Sequence, residues 1–121
     1  MTQPFSFDEA VFRELGSELG PDDTLALLNV FLADTAKKLI RIEAEDQTRA
    51  IIKREAHSMK SSAATFGFRV LSQTARQLES VAEEMPPDAL QASILEVRKA
   101  FEATRAFADR NLLNGASGAA A

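Results

Sequence analysis

The chain carries one histidine and no cysteine, so His57 is the one side chain whose ordinary titration leaves a free nitrogen lone pair near neutral pH. It lies in the run Ala56-His57-Ser58-Met59-Lys60-Ser61-Ser62-Ala63-Ala64-Thr65-Phe66-Gly67. If this run is helical, Ile52, Ala56, Met59, Ala63 and Phe66 recur at four-three-four-three spacing and draw one apolar stripe, a core face. At about 100° per residue, His57 sits roughly 140° from the middle of that stripe, grouped with Lys53, Lys60, Ser61 and Ala64. The imidazole is therefore expected to face solvent, between two cations and over small residues. An ammonium at Lys60, one turn on, can pair with an anion bound to the ring. A neighbouring cation also works against an imidazolium and leaves the lone pair available. Both effects suit a histidine that accepts a phosphoryl group, and an ordinary surface lysine is the alternative. Ser61 and Ala64 are small enough to leave the ring open to an approaching partner, although small residues equally favour close packing against a neighbouring helix.

The elements that must hold this histidine read as helices throughout. Glycine and proline fall at a few places only, and between them no strand-like alternation runs. Ser6 can cap a short first helix with Phe7, Val11, Phe12 and Leu15 on its apolar side, ending near Gly16 to Gly20. Pro21 suits the first turn of a second helix, with Asp22 and Asp23 at the positive end of its dipole. Leu25, Leu28, Leu32, Thr35, Leu39 and Ile42 then recur for about five turns, with Leu27, Val30 and Phe31 widening the apolar side. The polar run Glu43 to Thr48 closes it, and Thr48 can cap the helix that carries His57 and stops at Gly67. A fourth helix places Leu71, Ala75, Leu78, Ala82 and Met85 on one face and ends at Pro86-Pro87. Asp88 can cap a fifth, with Leu90, Ile94, Val97, Phe101 and Ala108 on its apolar side.

Four long amphipathic helices with short connections pack most simply as an all-α, antiparallel up-down-up-down four-helix bundle, with the short N-terminal helix across one end or side. The connection between the third and fourth helices is centred near Gly67 and Phe68, so residues equidistant from it lie at similar heights. Counting forward as far as His57 lies back reaches Leu78 and Glu79, with Glu79 about 100° from its own core position. A carboxylate there can accept a hydrogen bond from one ring nitrogen, fix the tautomer and leave the other nitrogen free to react. A solvent-facing glutamate with no role is the alternative.

The totals bound the rest. At 121 residues and 45% hydrophobic content the chain fits one domain. Residues 1–113 are expected to form the helical domain, and Gly-, Ser- and Ala-rich 114–121 a flexible tail. The start at Met1 and this ragged end suit a free-standing protein. No apolar run approaches the roughly 20 residues that span a bilayer, and the N-terminus lacks signal-peptide character, so a cytoplasmic protein away from the membrane is expected. The absence of cysteine fits a reducing compartment. A net charge of −4 argues against nucleic acid as main partner, although Lys53, Arg54 and Lys60 could form a local basic patch.

The run from His57 to Gly67, followed by Leu71 and Leu78-Glu79, closely resembles the signature of histidine-containing phosphotransfer (HPt) domains. That signature reads approximately His-Ser-Leu-Lys-Gly-Ser-Ala-Ala-Asn-Leu-Gly, then a leucine, then Leu-Glu. The likeness extends more loosely from Phe7 to about Leu112. It implies a phosphocarrier of a multistep phosphorelay, working between response-regulator receiver domains and a hybrid sensor histidine kinase. His57 would be the phosphoacceptor, Lys60 the support for the phosphoryl group, and Ser61 the small residue that gives a receiver access. Ser61 stands where glycine is usual, and its hydroxyl could hydrogen-bond the phosphate or the partner; Phe66 replaces a leucine within the core stripe.

The expected chemistry is in-line transfer from a receiver aspartate to a ring nitrogen, Nε2 for preference, and onward to another aspartate. Magnesium is expected on the receiver, and no bound cofactor or metal on this chain. Nor does the sequence hold a P-loop or glycine-rich nucleotide loop for self-phosphorylation, so no enzyme activity of its own is expected. The docking surface would surround His57 with Lys53, Ser61, Ala64 and apolar residues of the first two helices, Phe5, Phe12 and Phe31 among the candidates, each with a competing place in the core. A rival reading is a helical adaptor without phosphotransfer, which predicts that His57→Gln leaves function intact. A metal or haem bundle would need several inward ligands, and a kinase dimerisation domain would need an ATP-binding domain after it. A monomer is expected.

Overall fold

The computed structural model describes residues 6–44 and 47–113. Five α-helices follow in order, α1 (Glu9–Leu19), α2 (Pro21–Glu43), α3 (Arg49–Phe66), α4 (Arg69–Val81) and α5 (Pro87–Ala108), and a π-helical turn, Asp109–Leu113, continues α5. No strand occurs among the described residues; one isolated antiparallel bridge joins Phe7 to Phe68. Glu45 and Asp46 of the expected polar run, Phe5 of the expected docking surface and the expected tail 114–121 lie outside the described residues.

Two helix starts differ from expectation, each for a backbone reason. Asp8, not Ser6, caps α1, its side chain accepting from the Val11 amide at 3.3 Å. Ser6 is committed elsewhere: its carbonyl accepts from the Arg69 amide at 3.0 Å while the Asp8 amide donates to the Gly67 carbonyl at 2.7 Å. This short pairing keeps residues 6–8 out of the helix. At α5 the cap position is Pro86, extended at φ −60° and ψ 156°, and Asp88 falls in the first turn. A residue before proline is pushed out of the α region, and Pro87 at the first helical position gives up an amide that would have no partner there. Thr48 caps α3 as expected, accepting from the Ile51 amide at 3.2 Å.

α4 is shorter than its apolar pattern suggests. It ends at Val81, and the chain turns through Ala82 to Met85 ahead of the two prolines. Arg49, at the start of α3, donates to the carbonyls of Ala82 (3.0 Å) and Met85, taking up acceptors that the end of a helix leaves open. The start of α3 therefore lies beside the end of α4, and the two helices run antiparallel. Gly67 makes their turn: at φ +86° it terminates α3 in the left-handed region, with its amide shared between the carbonyls of Ala63 and Ala64. A Cβ there would come 2.5 Å from the Asp8 carbonyl oxygen, so glycine is required both by conformation and by the N-terminal segment pressed against it.

The stripes converge on one core, in which Leu28, Leu39, Ala56, Met59, Leu71, Leu78, Val97 and Phe101 are fully buried or nearly so. Close packing links α2 to α3, α3 to α4, α4 to α5 and α5 back to α2, with α1 lying on α2 and α3. Where α2 meets the α3–α4 turn, Phe68 stacks on Phe31 and Phe66, which meet each other tilted, and Phe7 packs on Phe68 and Phe107. Leu27 and Val30 depart from expectation: rather than widening the core side of α2 they stand 42% and 62% exposed. Phe31 on the same arc is buried, because α3 covers one edge of that arc and stops short of the other.

Candidate functional site

α3 presents His57 outward while Ala56 and Met59 on its other face are sealed in the core. The ring is 60% exposed, yet it is held. Its Nδ1 lies 2.6 Å from Glu79 Oε2, and Lys60 Nζ donates to the other oxygen of the same carboxylate at 2.7 Å. The α3–α4 hairpin sets this up. Its turn is only Gly67 and Phe68, and the pairing of Lys53 with Glu83, 2.8 Å apart, repeats the same register one turn away. Ser72 Oγ donates to the Lys60 carbonyl at 2.9 Å and ties the two helices on the other side of the site.

The electrostatics follow from this geometry. Glu79 is held below the usual carboxylate range, chiefly by the hydrogen bond from Lys60, against partial burial that acts the other way, and with further help from His57. An ionised carboxylate only accepts hydrogen bonds, so Nδ1 must carry the proton of that contact. In the neutral ring the lone pair is then on Nε2, for which no hydrogen-bond partner exists among the described residues. Lys53 and Glu83 perturb each other in the ordinary sense of an ion pair, the lysine raised and the carboxyl lowered. The arrangement can thus offer a fixed, solvent-facing nitrogen nucleophile, with a carboxylate behind the ring to take up positive charge formed on it.

Of the residues singled out from sequence, the structure brings His57, Lys60 and Glu79 into one hydrogen-bonded group. Lys53 is one turn away in its own ion pair. Ser61 and Ala64 are exposed further along α3, and Ala64 borders a groove with Asp8, Val11, Arg69, Ser72 and Gln73. Phe12 is not in that groove. It packs on Phe7 at 5.7 Å between ring centroids and lines an apolar cavity of about 570 Å³ with Phe107 and Leu112, while Val11 of the same helix takes the place beside Ala64. Phe31 is buried against Phe66. The exposed apolar residues nearest this face are instead Leu27 and Val30, which line a recess with Asp34, Ser62 and Thr65. Their spacing within α2 was legible; that they would be left uncovered was not.

No group of three or more histidine, cysteine, aspartate or glutamate side chains among the described residues is arranged to hold a metal ion. No helix among them is long and apolar enough to cross a membrane. A family model described as the Hpt domain matches residues 26–107, more than half of the chain. No curated protein and no solved structure matches it.

Proposed function

The chain belongs to the Hpt domain family, histidine phosphotransfer modules of phosphorelays, and on that premise we propose that His57 is its phosphoryl-carrying residue. The observation that carries the assignment is the divided ring: Nδ1 engaged by Glu79, Nε2 unengaged on an exposed face. In the proposed reaction the Nε2 lone pair attacks the phosphorus of an aspartyl phosphate on a receiver domain. The N–P bond forms, the bond to the aspartate oxygen breaks, and the carboxylate leaves with its electron pair. The ring now bears a positive charge, which the Nδ1–H shares with the Glu79 carboxylate. Attack by the aspartate of a second receiver reverses these events and restores the neutral ring.

Catalysis on this side is positioning of the ring and of the phosphoryl group, with the Glu79 carboxylate balancing charge on the ring. Glu79 fixes the tautomer, and Lys60, one turn from the ring, supports the phosphoryl oxygens by exchanging some of its contact with Glu79. The receiver supplies the magnesium ion. Docking uses the face around His57, with Lys53, Ser61 and Ala64, and the exposed pair Leu27 and Val30 in place of Phe12 and Phe31. We read the ring of helix contacts as the up-down-up-down bundle, and the protein as a cytoplasmic monomer fed through a receiver by a hybrid sensor kinase. The closed circuit of packing between α2, α3, α4 and α5 supports the first of these.

Transfer is tested by mixing the chain with a ³²P-labelled receiver and magnesium. The wild type is expected to acquire acid-labile, base-stable label, and His57→Gln none. Label that persists in His57→Gln would refute the assignment, and loss of no cellular function in that variant would favour a helical adaptor.

A further inference from the structure

We infer that Ser61 is a phosphoryl-contacting residue that lengthens the lifetime of phosphorylated His57, an inference that rests on the phosphocarrier reading above. Ser61 lies four residues after His57 on α3, so the two are neighbours on one helix face. Helical side chains lean toward the N-terminus, which tilts the Ser61 hydroxyl back toward the turn that bears the ring. A serine inside a helix commonly satisfies its hydroxyl on the carbonyl four residues earlier, as Thr65 does on Ser61 and Thr74 on Val70. Ser61 does not: its hydroxyl has no hydrogen-bond partner among the described residues, and the residue is exposed. The donor is therefore free, four residues from His57 on the same exposed face of α3.

The other donor near the ring is already engaged. Lys60 Nζ holds Glu79 at 2.7 Å, and moving it fully onto a phosphoryl group would strip Glu79 of the contact that most lowers its pKa. Ser61 can donate to a phosphoryl oxygen without giving up any contact. The direction of its effect follows from the reaction. Loss of the group from phosphohistidine proceeds through a loose, metaphosphate-like transition state. The phosphoryl oxygens carry more negative charge before that state than in it, so a donor on them holds the starting state more tightly. Ser61 thus slows hydrolysis of the N–P bond, in which water adds to phosphorus, its protons stay with the phosphate formed, and Nε2 leaves with the electron pair to restore the neutral ring.

The test needs no cognate partner. The chain is phosphorylated with phosphoramidate, excess reagent is removed, and decay of phosphohistidine at pH 7 is followed by ³¹P NMR for wild type, Ser61→Ala, Ser61→Gly and Ser61→Thr. Decay in the alanine and glycine variants is expected to be about three- to tenfold faster, the range of one neutral hydrogen bond. The threonine variant, which keeps the hydroxyl, should decay at close to the wild-type rate. Equal decay of wild type and alanine overturns the inference while leaving the carrier reading intact. Faster decay in threonine as well as alanine also overturns it, since packing rather than the hydroxyl would then be responsible. A wild type that takes no label on His57 removes the carrier reading and this inference together.

Discussion

At the scale of single residues the site turns on one carboxylate with two partners. Glu79 accepts from Nδ1 of His57 and from Nζ of Lys60, so it fixes the tautomer and restrains the lysine, and in the proposed reaction it would balance charge formed on the ring. Glu79→Gln keeps an oxygen that can accept from Nδ1 but removes the charge. Its transfer rate from a phosphorylated receiver is expected to fall about tenfold, the worth of a charge-assisted hydrogen bond over a neutral one, with an unchanged circular dichroism spectrum. A second readout separates this from a packing effect. A carboxyl whose pKa is depressed on folding adds stability that is fully present above its unfolded value and lost as pH falls through the folded one. The wild type should therefore lose stability more steeply than Glu79→Gln below about pH 5, by under about 1 kcal/mol because the pair is partly exposed. Urea midpoints at pH 7 and pH 3 that shift in parallel would show that the carboxylate contributes no such term. The contact with His57 was legible by counting from the turn, since a hairpin closed by two residues, Gly67 and Phe68, leaves little freedom of register. The sharing with Lys60 was not, because a lysine of that length reaches an anion on the ring or a carboxylate across the groove equally well.

At the scale of elements, the decisive part is the turn between α3 and α4. Gly67 at φ +86° lets α3 stop and α4 return immediately, while the 6–8 segment bonds to both sides of the turn. Gly67→Ala would force an L-residue into the left-handed region and drive its Cβ onto the Asp8 carbonyl. A loss of about 2 kcal/mol is expected from the urea midpoint, and part of it should disappear when residues 1–8 are deleted from both proteins, because the clash goes with them. A loss that is the same in both backgrounds would place the whole cost in the dihedral angle. The sequence marks this turn plainly through its glycine, as it marks the Thr48 cap. It does not mark the residue 7–68 bridge: residues 6–8 bond to a turn about 60 residues away, and nothing local distinguishes Ser6 as a bonding partner of that turn from Ser6 as a cap. At Pro86-Pro87 the local signal was present but belonged to the wrong residue, since the proline pair itself supplies the extended entry that Asp88 was expected to provide.

At the scale of the molecule, fold class was legible because five amphipathic stripes, separated by glycine, by proline or, between the second and third, by a polar run, leave few ways to bury them. Which edges of those stripes stay uncovered depends on how far neighbouring helices overlap, which no single stripe contains. α2 makes the point. Phe31, Leu27 and Val30 share one arc, yet the first is buried and the others are among the most exposed large apolar side chains described. Thr65, which borders their recess, lies eight residues beyond His57, about 12 Å along α3, so a domain seated over the ring would also cover the recess. Val30→Asp should then weaken docking without touching chemistry. An aspartate at a position 62% exposed is expected to change stability by no more than about 0.5 kcal/mol. Loading by phosphoramidate should be unchanged, since a small donor needs only Nε2. Transfer from a phosphorylated receiver should slow by about tenfold, the cost of a moderate interface contact. Equal slowing with both donors would mean that the substitution disturbs His57 itself, and no slowing with either would move the docking surface to the groove beside Ala64 and Val11.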